Sequence, residues 1–386
     1  MQSERKIKPT RIWILRHGQS NLNQAQCFQG AGAESELTPH GIRSAQLAGQ
    51  QLVSVGVDAI YSSPLTRAMQ TSALILEVLA DNGVHPEFHT EATLREIELP
   101  GWEGFSYAAV RQEHSESYAR FRNTPSSFVL QDAHGRQVWP ALELQTRVYT
   151  LMPHLLSRHG GANILLVTHG GPARMLLLAA LGLPLDYFNS VQQSHCGLSC
   201  IVATGWPYNL RLEVLNETRH TGETLPKLKE GKTGLRLLMA ASDISNEDGR
   251  QGSEDLAQLL ESLPLHGVLT GGRNGETAAK QLLRFGCPAT IDTCSEAALQ
   301  SAFENHLRRQ RSGGLYNLFI TGRRELLSGL IAHAMGPAWQ GDSAPSISPE
   351  VRSGLSIIHL PGTVQRPVLQ AMNTHQAAWA FARGAA

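Results

Sequence analysis

Four basic side chains in the first half of the 386-residue chain have the types and settings that phosphoryl chemistry requires. Arg16, His17, Arg67 and His169 each follow a short apolar run within a few residues. Guanidinium groups match phosphate oxygens with paired hydrogen bonds, and a neutral histidine nitrogen can attack phosphorus as a nucleophile. These residues therefore predict a pocket for a dianionic phosphoryl group with a histidine nucleophile.

A carboxyl group has to complete such a site, because the leaving alkoxide needs a proton and the later attack by water needs a base. Glu96 is the candidate for this role, since it follows a predicted strand. Glu98 and Glu103 lie nearby in the sequence and are the alternatives.

Alternating strand and helix patterns surround these residues. Apolar runs at 11–15, 57–61 and 163–167 have the length of buried parallel strands, and a further short strand is expected before Glu96. The pattern predicts a three-layer α/β/α fold with a doubly wound, mostly parallel sheet. Ligands of such sheets bind outside the carboxyl ends of the strands, so the predicted site residues should meet there.

Helix signals lie between the predicted strands. Thr38-Pro39 has the residue types of a helix start, and Ile42 lies on the apolar face that follows. Ser63-Pro64 predicts a second start, which places Arg67 in the first turn of a helix, where backbone amides favour anions. Residues 97–140 predict an excursion that covers the site.

The second half of the chain repeats the pattern of the first. Residues 218–234 are polar and rich in Lys, and predict a linker between a catalytic domain over 1–217 and a second domain over 235–386. Four strand-and-glycine patterns recur in the same order, which favours an internal duplication over the similarity expected between any two α/β domains.

The second copy has lost the residues that carry chemistry. Ala241 and Gly322 occupy the two histidine positions in the sequence comparison, whereas Arg273 survives. We therefore expect a degenerate, inactive copy with a structural or dimerising role, and a homodimer could form through it.

The ordered motifs resemble those of the histidine phosphatase superfamily, in its phosphoglycerate-mutase-like branch, over about residues 10–205. They are RHGQS from Arg16 with Asn23, SSPLTRA over 62–68, LRE over 94–96 with GWEG over 101–104, and THG over 168–170. The resemblance implies that His17 is phosphorylated and that Glu96 is the general acid and base. It also implies that the phosphoryl group is held by Arg16, Asn23, Arg67, His169 and Gly170, without a metal or cofactor.

A closer likeness exists to 2-carboxyarabinitol-1-phosphate phosphatases and their tandem bacterial relatives. It rests on LREIELPGWEG over 94–104, QSHCGLS over 193–199 and HTG over 220–222. The chain departs from the family at Gln19, where Glu is frequent, and at Pro100, where Gly is frequent. The departure at Pro100 concerns the pocket wall, and so the substrate more than the reaction.

Composition limits the classes of partner. The chain is 41% hydrophobic and 17% charged, and its 33 basic and 33 acidic residues cancel, which argues against a nucleic-acid partner. No apolar run has the length of a signal peptide or a membrane span, so we expect a cytoplasmic protein without a membrane partner. The five cysteines form no CxxC pattern and are expected to be reduced.

The sequence thus predicts a phosphomonoesterase that acts on small sugar or sugar-acid phosphates. A mutase that returns the phosphoryl group to another hydroxyl would use the same residues and is the second reading. A protein phosphatase and a non-catalytic phosphate-binding scaffold are further alternatives. The intact set of basic residues in the first half argues against the scaffold.

Overall fold

The apolar runs of the sequence form the inner strands of one large sheet. The computed structural model describes residues 8–32, 34–207, 209–229, 231–242, 256–282, 291–309, 314–336, 350–352, 354–362 and 366–374. The described strands are β1 Thr10–Arg16, β2 Ala59–Ser62, β3 Glu87–Thr90, β4 Leu130–Gln131, β5 Gln137–Val138, β6 Asn163–Thr168, β7 Leu198–Ala203, β8 Leu210–Glu217, β9 Gly234–Ala241, β10 Gly267–Gly271, β11 Ile291–Cys294, β12 Leu315–Gly322, β13 Leu355–Pro361 and β14 Val368–Thr374.

Helices connect the parallel strands in the alternation that the sequence predicts. The α-helices whose bounds the structure describes are α1 Asn21–Gln24, α2 Pro39–Val53, α3 Thr66–Asp81, α4 Tyr107–Glu113, α5 Ser115–Asn123, α6 Pro140–Arg158, α7 Gly170–Leu181, α8 Gly272–Leu282, α9 Leu299–Arg309 and α10 Arg324–Met335. Among the described residues, no helix combines the length and the apolar character that crossing a bilayer requires.

Twelve of the described strands form one sheet in the order β11-β10-β12-β9-β13-β14-β8-β7-β1-β6-β2-β3, and β4 and β5 form a separate hairpin. Strands β1, β6, β2 and β3 are parallel neighbours. Strand β7 pairs with β1 in the antiparallel sense. The carboxyl ends of the four parallel strands therefore lie at one edge of the sheet.

Side chains of β1 alternate between two apolar layers. Ile12 and Ile14 belong to a core that includes Val148 of α6 and other residues of α6 and α7. Trp13 and Leu15 belong to the opposite core, which α2 and α3 cover. Because successive side chains of a strand point to opposite faces, this apolar run is buried on both sides. The predicted three-layer α/β/α fold is confirmed.

The two halves of the sheet have the same strand order. The order is β8-β7-β1-β6-β2-β3 in the first half and β14-β13-β9-β12-β10-β11 in the second. The halves meet at an antiparallel contact of β14 with β8, where Met372 pairs with Leu215. One apolar core extends across this contact and includes residues of both halves. The domain bounds at 217/218 and 234/235 stay a prediction.

Hydrogen-bond register corrects the alignment of the two copies by one residue. Arg16 pairs with Thr168 in the first half, and Ala241 pairs with Gly322 in the second. In the first half, the next residue, His17, donates its N–H to the Thr168 carbonyl at 2.9 Å. In the second half, Ser242 donates its N–H to the Gly322 carbonyl at 2.9 Å in the same way. The histidine positions therefore correspond to Ser242 and Arg323, not to Ala241 and Gly322. The residue pattern of a buried strand does not show which residues pair across the sheet, so a sequence comparison can be wrong by one residue.

Three local predictions change in the structure. Helix α3 begins at Thr66 rather than at Ser63-Pro64, and Arg67 still lies in its first turn. Ile42 is 40% exposed and does not lie on the buried face of α2. Strand β3 ends at Thr90, so Glu96 follows a short 3-10 turn rather than the strand itself.

The excursion at 97–140 contains α4, α5 and the β4–β5 hairpin. Its aromatic side chains pack on one another, and the Trp102 ring lies 5.2 Å from Phe128 and 5.7 Å from Phe121 between centroids. Trp102 is buried and packs in the hydrophobic core. The Phe28 ring joins this cluster, so the excursion is fixed to the loop that follows α1.

Candidate active site

The ends of β1 and β6 place the predicted nucleophile. Arg16 is the last residue of β1, and the His17 N–H donates 2.9 Å to the Thr168 carbonyl. Gly18 then passes so close to α2 that a Cβ there would lie 2.6 Å from the carbonyl oxygen of Gly41. A side chain at this point would force the two segments apart, so glycine after His17 keeps the imidazole at the strand end.

The ring of His17 is buried and oriented by two hydrogen bonds. Its Nδ1 lies 2.7 Å from the carbonyl oxygen of Gly18, and its Nε2 lies 3.3 Å from Nε of Arg67. Because the carbonyl accepts and the guanidinium donates, Nδ1 carries the proton and Nε2 the lone pair. Burial lowers the pKa of His17 well below its ordinary value, and Arg67 and Arg16 lower it further. The ring is therefore neutral at neutral pH.

Arg67 is fixed beside this ring by the loop that precedes α2. Its Nη2 donates 2.9 Å to the carbonyl oxygen of Gly30, and its Nη1 lies 3.4 Å from Oγ of Ser35. Burial lowers the pKa of Arg67 to about 10, so the guanidinium stays charged at neutral pH. A charged donor group is thus held against the lone pair of His17.

His169 lies opposite His17, with 5.0 Å between the ring centroids. Its Nε2 lies 2.7 Å from Oγ of Ser63, and a hydroxyl that donates there leaves the proton on Nδ1. In the part of the chain that the structure describes, His169 Nδ1 and Arg16 Nε are buried and have no hydrogen-bond partner. Buried polar groups are normally hydrogen-bonded, so these two atoms suit the oxygens of an anion held beside His17.

The Glu96 carboxylate is held at the N-terminus of α7. Its Oε1 accepts from the N–H groups of Ile97 and Gly171, each at 2.8 Å. A Cβ on Gly171 would lie 2.3 Å from this oxygen, so only glycine leaves room for the carboxylate. A Cβ on Gly170 would lie 3.7 Å from Oε2 of Glu96 and 3.8 Å from Cζ of Arg16. Gly170 therefore lies between the carboxylate and the guanidinium.

The two alternative carboxylates lie elsewhere. Glu103 accepts hydrogen bonds from the N–H groups of Ala31 and Gly32, at 3.1 and 3.0 Å, and so holds the loop that carries the Arg67 contact. Glu98 is exposed. Of the three candidates, Glu96 is the one placed beside the guanidinium of Arg16.

Asn23 is held at α1 by hydrogen bonds with Ser20. Its Oδ1 accepts from the Ser20 N–H at 3.3 Å, and its own N–H donates 3.2 Å to Oγ of Ser20, which forms a capping box at α1. Burial raises the pKa of Tyr107, and the charges of Arg16 and Arg174, followed by a hydrogen bond from Asn23, partly offset this rise. The contact of Asn23 with a phosphoryl group stays a prediction.

His195 is the site residue that the sequence reasoning missed. Its ring centroid lies 5.9 Å from that of His17. Burial lowers the pKa of His195 well below its ordinary value, and Arg16 and His17 contribute next. Among the described residues, its buried Nε2 has no hydrogen-bond partner. The available signal was the QSHCGLS motif at 193–199, which contributed only to the family resemblance.

Metal chemistry has no obvious ligand set here. Within the described ranges, no group of three His, Cys, Asp or Glu side chains has an arrangement that could hold a metal ion. The site instead combines two guanidinium groups, three neutral imidazoles and one carboxylate.

Comparison with known families agrees with this geometry. Residues 12–218 match the model of the histidine phosphatase superfamily, branch 1. The match covers more than half of the chain and includes His17, Arg67, Glu96 and His169. The chain therefore belongs to the histidine phosphatase superfamily.

Similar proteins within the superfamily have phosphatase and mutase names. A protein of Arabidopsis thaliana named "Probable 2-carboxy-D-arabinitol-1-phosphatase" is 30% identical over 296 residues, which are 76% of this chain and 58% of that protein. The "2-carboxy-D-arabinitol-1-phosphatase" of Triticum aestivum is 28% identical over 255 residues, 64% of this chain and 49% of that protein. The chain thus spans about half the length of these two relatives. A "Probable phosphoglycerate mutase GpmB" of Yersinia pestis (strain Pestoides F) is 27% identical over 226 residues, 57% of this chain and 97% of that protein.

Proposed function

We propose that this chain is a phosphomonoesterase that hydrolyses small sugar or sugar-acid phosphates through a phosphohistidine on His17. One observation carries the proposal: the neutral, buried ring of His17 has its lone-pair nitrogen against Nε of Arg67 and lies 5.0 Å from the ring of His169. Among the described residues, the nearby donors His169 Nδ1 and Arg16 Nε are buried without a hydrogen-bond partner. Such donors stabilise the charge of a phosphoryl group in transfer, and a neutral imidazole nitrogen can accept that group.

In the first step, Nε2 of His17 attacks phosphorus and the bond from phosphorus to the ester oxygen breaks. The Arg67 Nε that donates to this nitrogen must first turn to a phosphoryl oxygen, which frees the lone pair. Arg16, Arg67 and His169 then donate to the oxygens that do not leave. Glu96, in its protonated form, gives its proton to the leaving alkoxide.

In the second step, water attacks the phosphohistidine. The Glu96 carboxylate takes a proton from this water, the bond from phosphorus to Nε2 breaks, and phosphate leaves His17 neutral again. The two N–H bonds to Oε1 keep the carboxyl group in place throughout, while Oε2 lies toward Arg16 and exchanges the proton. Asn23 and the N–H of Gly170 complete the proposed substrate contacts.

The substrate class is proposed from the names of the two plant relatives, which describe phosphatases for a phosphorylated sugar acid. A mutase is the second candidate, because the Yersinia relative has a mutase name and the same chemistry serves both reactions. Release of inorganic phosphate supports hydrolysis, whereas isomerisation of the substrate without release supports the mutase.

A phosphatase screen over a panel of phosphorylated metabolites and an aryl phosphate tests the proposal. His17→Ala should abolish turnover, and His154→Ala, which alters an exposed histidine of α6, should leave it unchanged. Labelled substrate should leave an acid-labile phosphoryl group on the parent protein and none on His17→Ala. Unchanged turnover by a folded His17→Ala variant would rule out the mechanism.

The proposal includes the remaining predictions from the sequence. Activity is independent of metal ions and organic cofactors, and should survive exhaustive treatment with EDTA. Residues 1–217 form the catalytic domain, 218–234 a linker and 235–386 an inactive copy, through which a homodimer could form. The protein is cytoplasmic, with neither a nucleic-acid nor a membrane partner.

A further inference from the structure

The segment at 218–234 contributes a further cation, Lys229, beside the guanidinium of Arg16. Nζ of Lys229 donates 3.2 Å to the carbonyl oxygen of Gln193, and Nη1 of Arg16 donates 3.1 Å to the same oxygen. The two cations therefore lie within two hydrogen-bond lengths of each other. Lys229 also lowers the pKa of His195, after burial, Arg16 and His17, so its charge acts on the site.

The second half of the chain holds this segment in place. The carbonyl oxygen of Lys227 accepts from Nε2 of Gln192 at 3.0 Å and from Nε2 of Gln370, a residue of β14, at 3.4 Å. Nε2 of Gln370 also donates 3.1 Å to Oε1 of Gln192. Gln370 is buried, and so joins the lysine-bearing segment to the loop that carries Gln193.

The backbone of β14 also supports that loop. The Gln192 N–H donates 2.9 Å to the carbonyl oxygen of Leu369. Nδ2 of Asn216 donates 2.7 Å to the carbonyl oxygen of Gln370, and its Oδ1 accepts from the Ser194 N–H at 2.7 Å. The loop at 191–195 is therefore fixed between a strand of the first half and a strand of the second.

We infer that Lys229 is a specificity-determining residue that binds a second anionic group of the substrate, a carboxylate, and that Gln370 of the inactive copy positions it. This inference rests on the proposed function and deepens it. It assigns the second half a role in the wall of the active site, which complements the structural role that the sequence predicts.

Charge and exposure support this role for Lys229. Arg16, Arg67 and His169 already face the phosphoryl position, so a cation further out is suited to another part of the substrate. The Lys229 side chain is exposed, and its flexible stem allows the ammonium to turn from the Gln193 carbonyl toward an anion at the pocket mouth. A neutral group of the substrate at the same place would form no ion pair with Lys229.

Matched pairs of phosphate esters test the inference by competitive inhibition of aryl phosphate hydrolysis. One pair is 3-phosphoglycerate and glycerol 3-phosphate, and the other is 6-phosphogluconate and sorbitol 6-phosphate. In each pair a carboxylate replaces a hydroxymethyl group. We expect the parent protein to bind the acid of at least one pair about five- to tenfold more tightly, the range for a partly exposed to a partly desolvated ion pair.

Lys229→Gln should reduce this preference to below about twofold, whereas Lys232→Gln, which removes an exposed charge of the same segment, should keep it. Gln370→Met should also reduce the preference, because the Lys227 carbonyl and the Gln192 side chain both lose their contact with the Gln370 amide. Thermal unfolding shows whether Gln370→Met is folded, and Lys229→Gln tests the inference independently of that variant.

The outcomes separate the inference from the proposed function. Absence of aryl phosphatase activity in the parent protein overturns the proposed function. An active parent protein that lacks the preference for the acid, or a Lys229→Gln variant that retains it, overturns the inference alone.

Discussion

Replacing Glu96 by glutamine separates proton transfer from substrate binding. The amide has nearly the shape of the carboxylate, and its oxygen can accept from the Ile97 and Gly171 N–H groups that now bind Oε1 at 2.8 Å. The amide nitrogen then takes the place of Oε2 beside Arg16. Because both backbone contacts persist, the free energy of unfolding should change by only about 1 kcal/mol, the difference between a charge-assisted and a neutral hydrogen bond.

The expected effect on catalysis depends on the leaving group. A positioned general acid accelerates a reaction by about 10²–10⁴-fold, which corresponds to about 2.7–5.5 kcal/mol of barrier. Alkyl phosphates have a basic leaving oxygen that needs the proton, so their kcat/KM should fall by this factor in Glu96→Gln. Aryl phosphates with an acidic phenol need little protonation, and their kcat/KM should fall less than about tenfold.

Stopped-flow measurement with an aryl phosphate adds a second readout. Without the base at Glu96 the phosphohistidine should hydrolyse slowly, so the phenol should appear in a burst equal to the enzyme concentration. Glu98→Gln, which alters an exposed neighbour, is the matched control and should behave as the parent protein. An equal fall in kcat/KM for alkyl and aryl esters would refute proton donation by Glu96.

Two further predictions concern the support of the site and its response to pH. Glu103→Gln should loosen the loop at Gly30 that binds Arg67. Because Arg67 binds the phosphoryl group, KM should rise several-fold for phosphate esters with and without a carboxylate. A rise in KM confined to the esters with a carboxylate would contradict this prediction. Burial lowers the pKa of His169 and of His195 well below 6.5. Below pH 6.5 the unfolded chain binds protons that the native state does not, so the free energy of unfolding should fall as pH falls, by up to about 1.4 kcal/mol per pH unit for each such histidine. Urea unfolding at pH 7 and pH 5 measures this fall in the free energy of unfolding. The fall between the two pH values should be smaller in His195→Gln than in the parent protein. An equal fall in both proteins would refute a lowered pKa of His195.

Local signals predicted much of the first half of the molecule. An apolar run that is buried on both faces has a distinct composition, and Thr38-Pro39 marks the start of α2 through its own capping bond and fixed backbone angle. Such signals depend on neighbouring residues along the chain. They predicted β1 and β6 to within one residue at each end, and they predicted the α/β class.

Features that depend on pairing between distant strands were predicted less well than local elements. Strand β8 lies at the centre of the sheet, and the sequence analysis did not predict it. The alignment of the two copies was wrong by one residue, because the residue pattern of β9 and β12 does not mark which residues pair, and only their hydrogen-bond register fixes which residues correspond. The predicted linker at 218–234 has a composition that is typical of solvated segments, yet Lys227 and Lys229 are tied to the loop at 191–195.

The sequence alone determined the chemical types at the site, because Arg16, His17, Arg67, Glu96 and His169 are recognisable by residue type and motif order. Tertiary structure decided which atom of each residue faces which neighbour. The lone pair of His17 is fixed by a carbonyl and a guanidinium that lie 1 and 50 residues away in the chain. Gln370 reaches the loop beside the site from 178 residues away, through hydrogen bonds that form only when β14 joins the sheet beside β8. Such contacts depend on the packing of whole strands, so a local sequence pattern does not predict them.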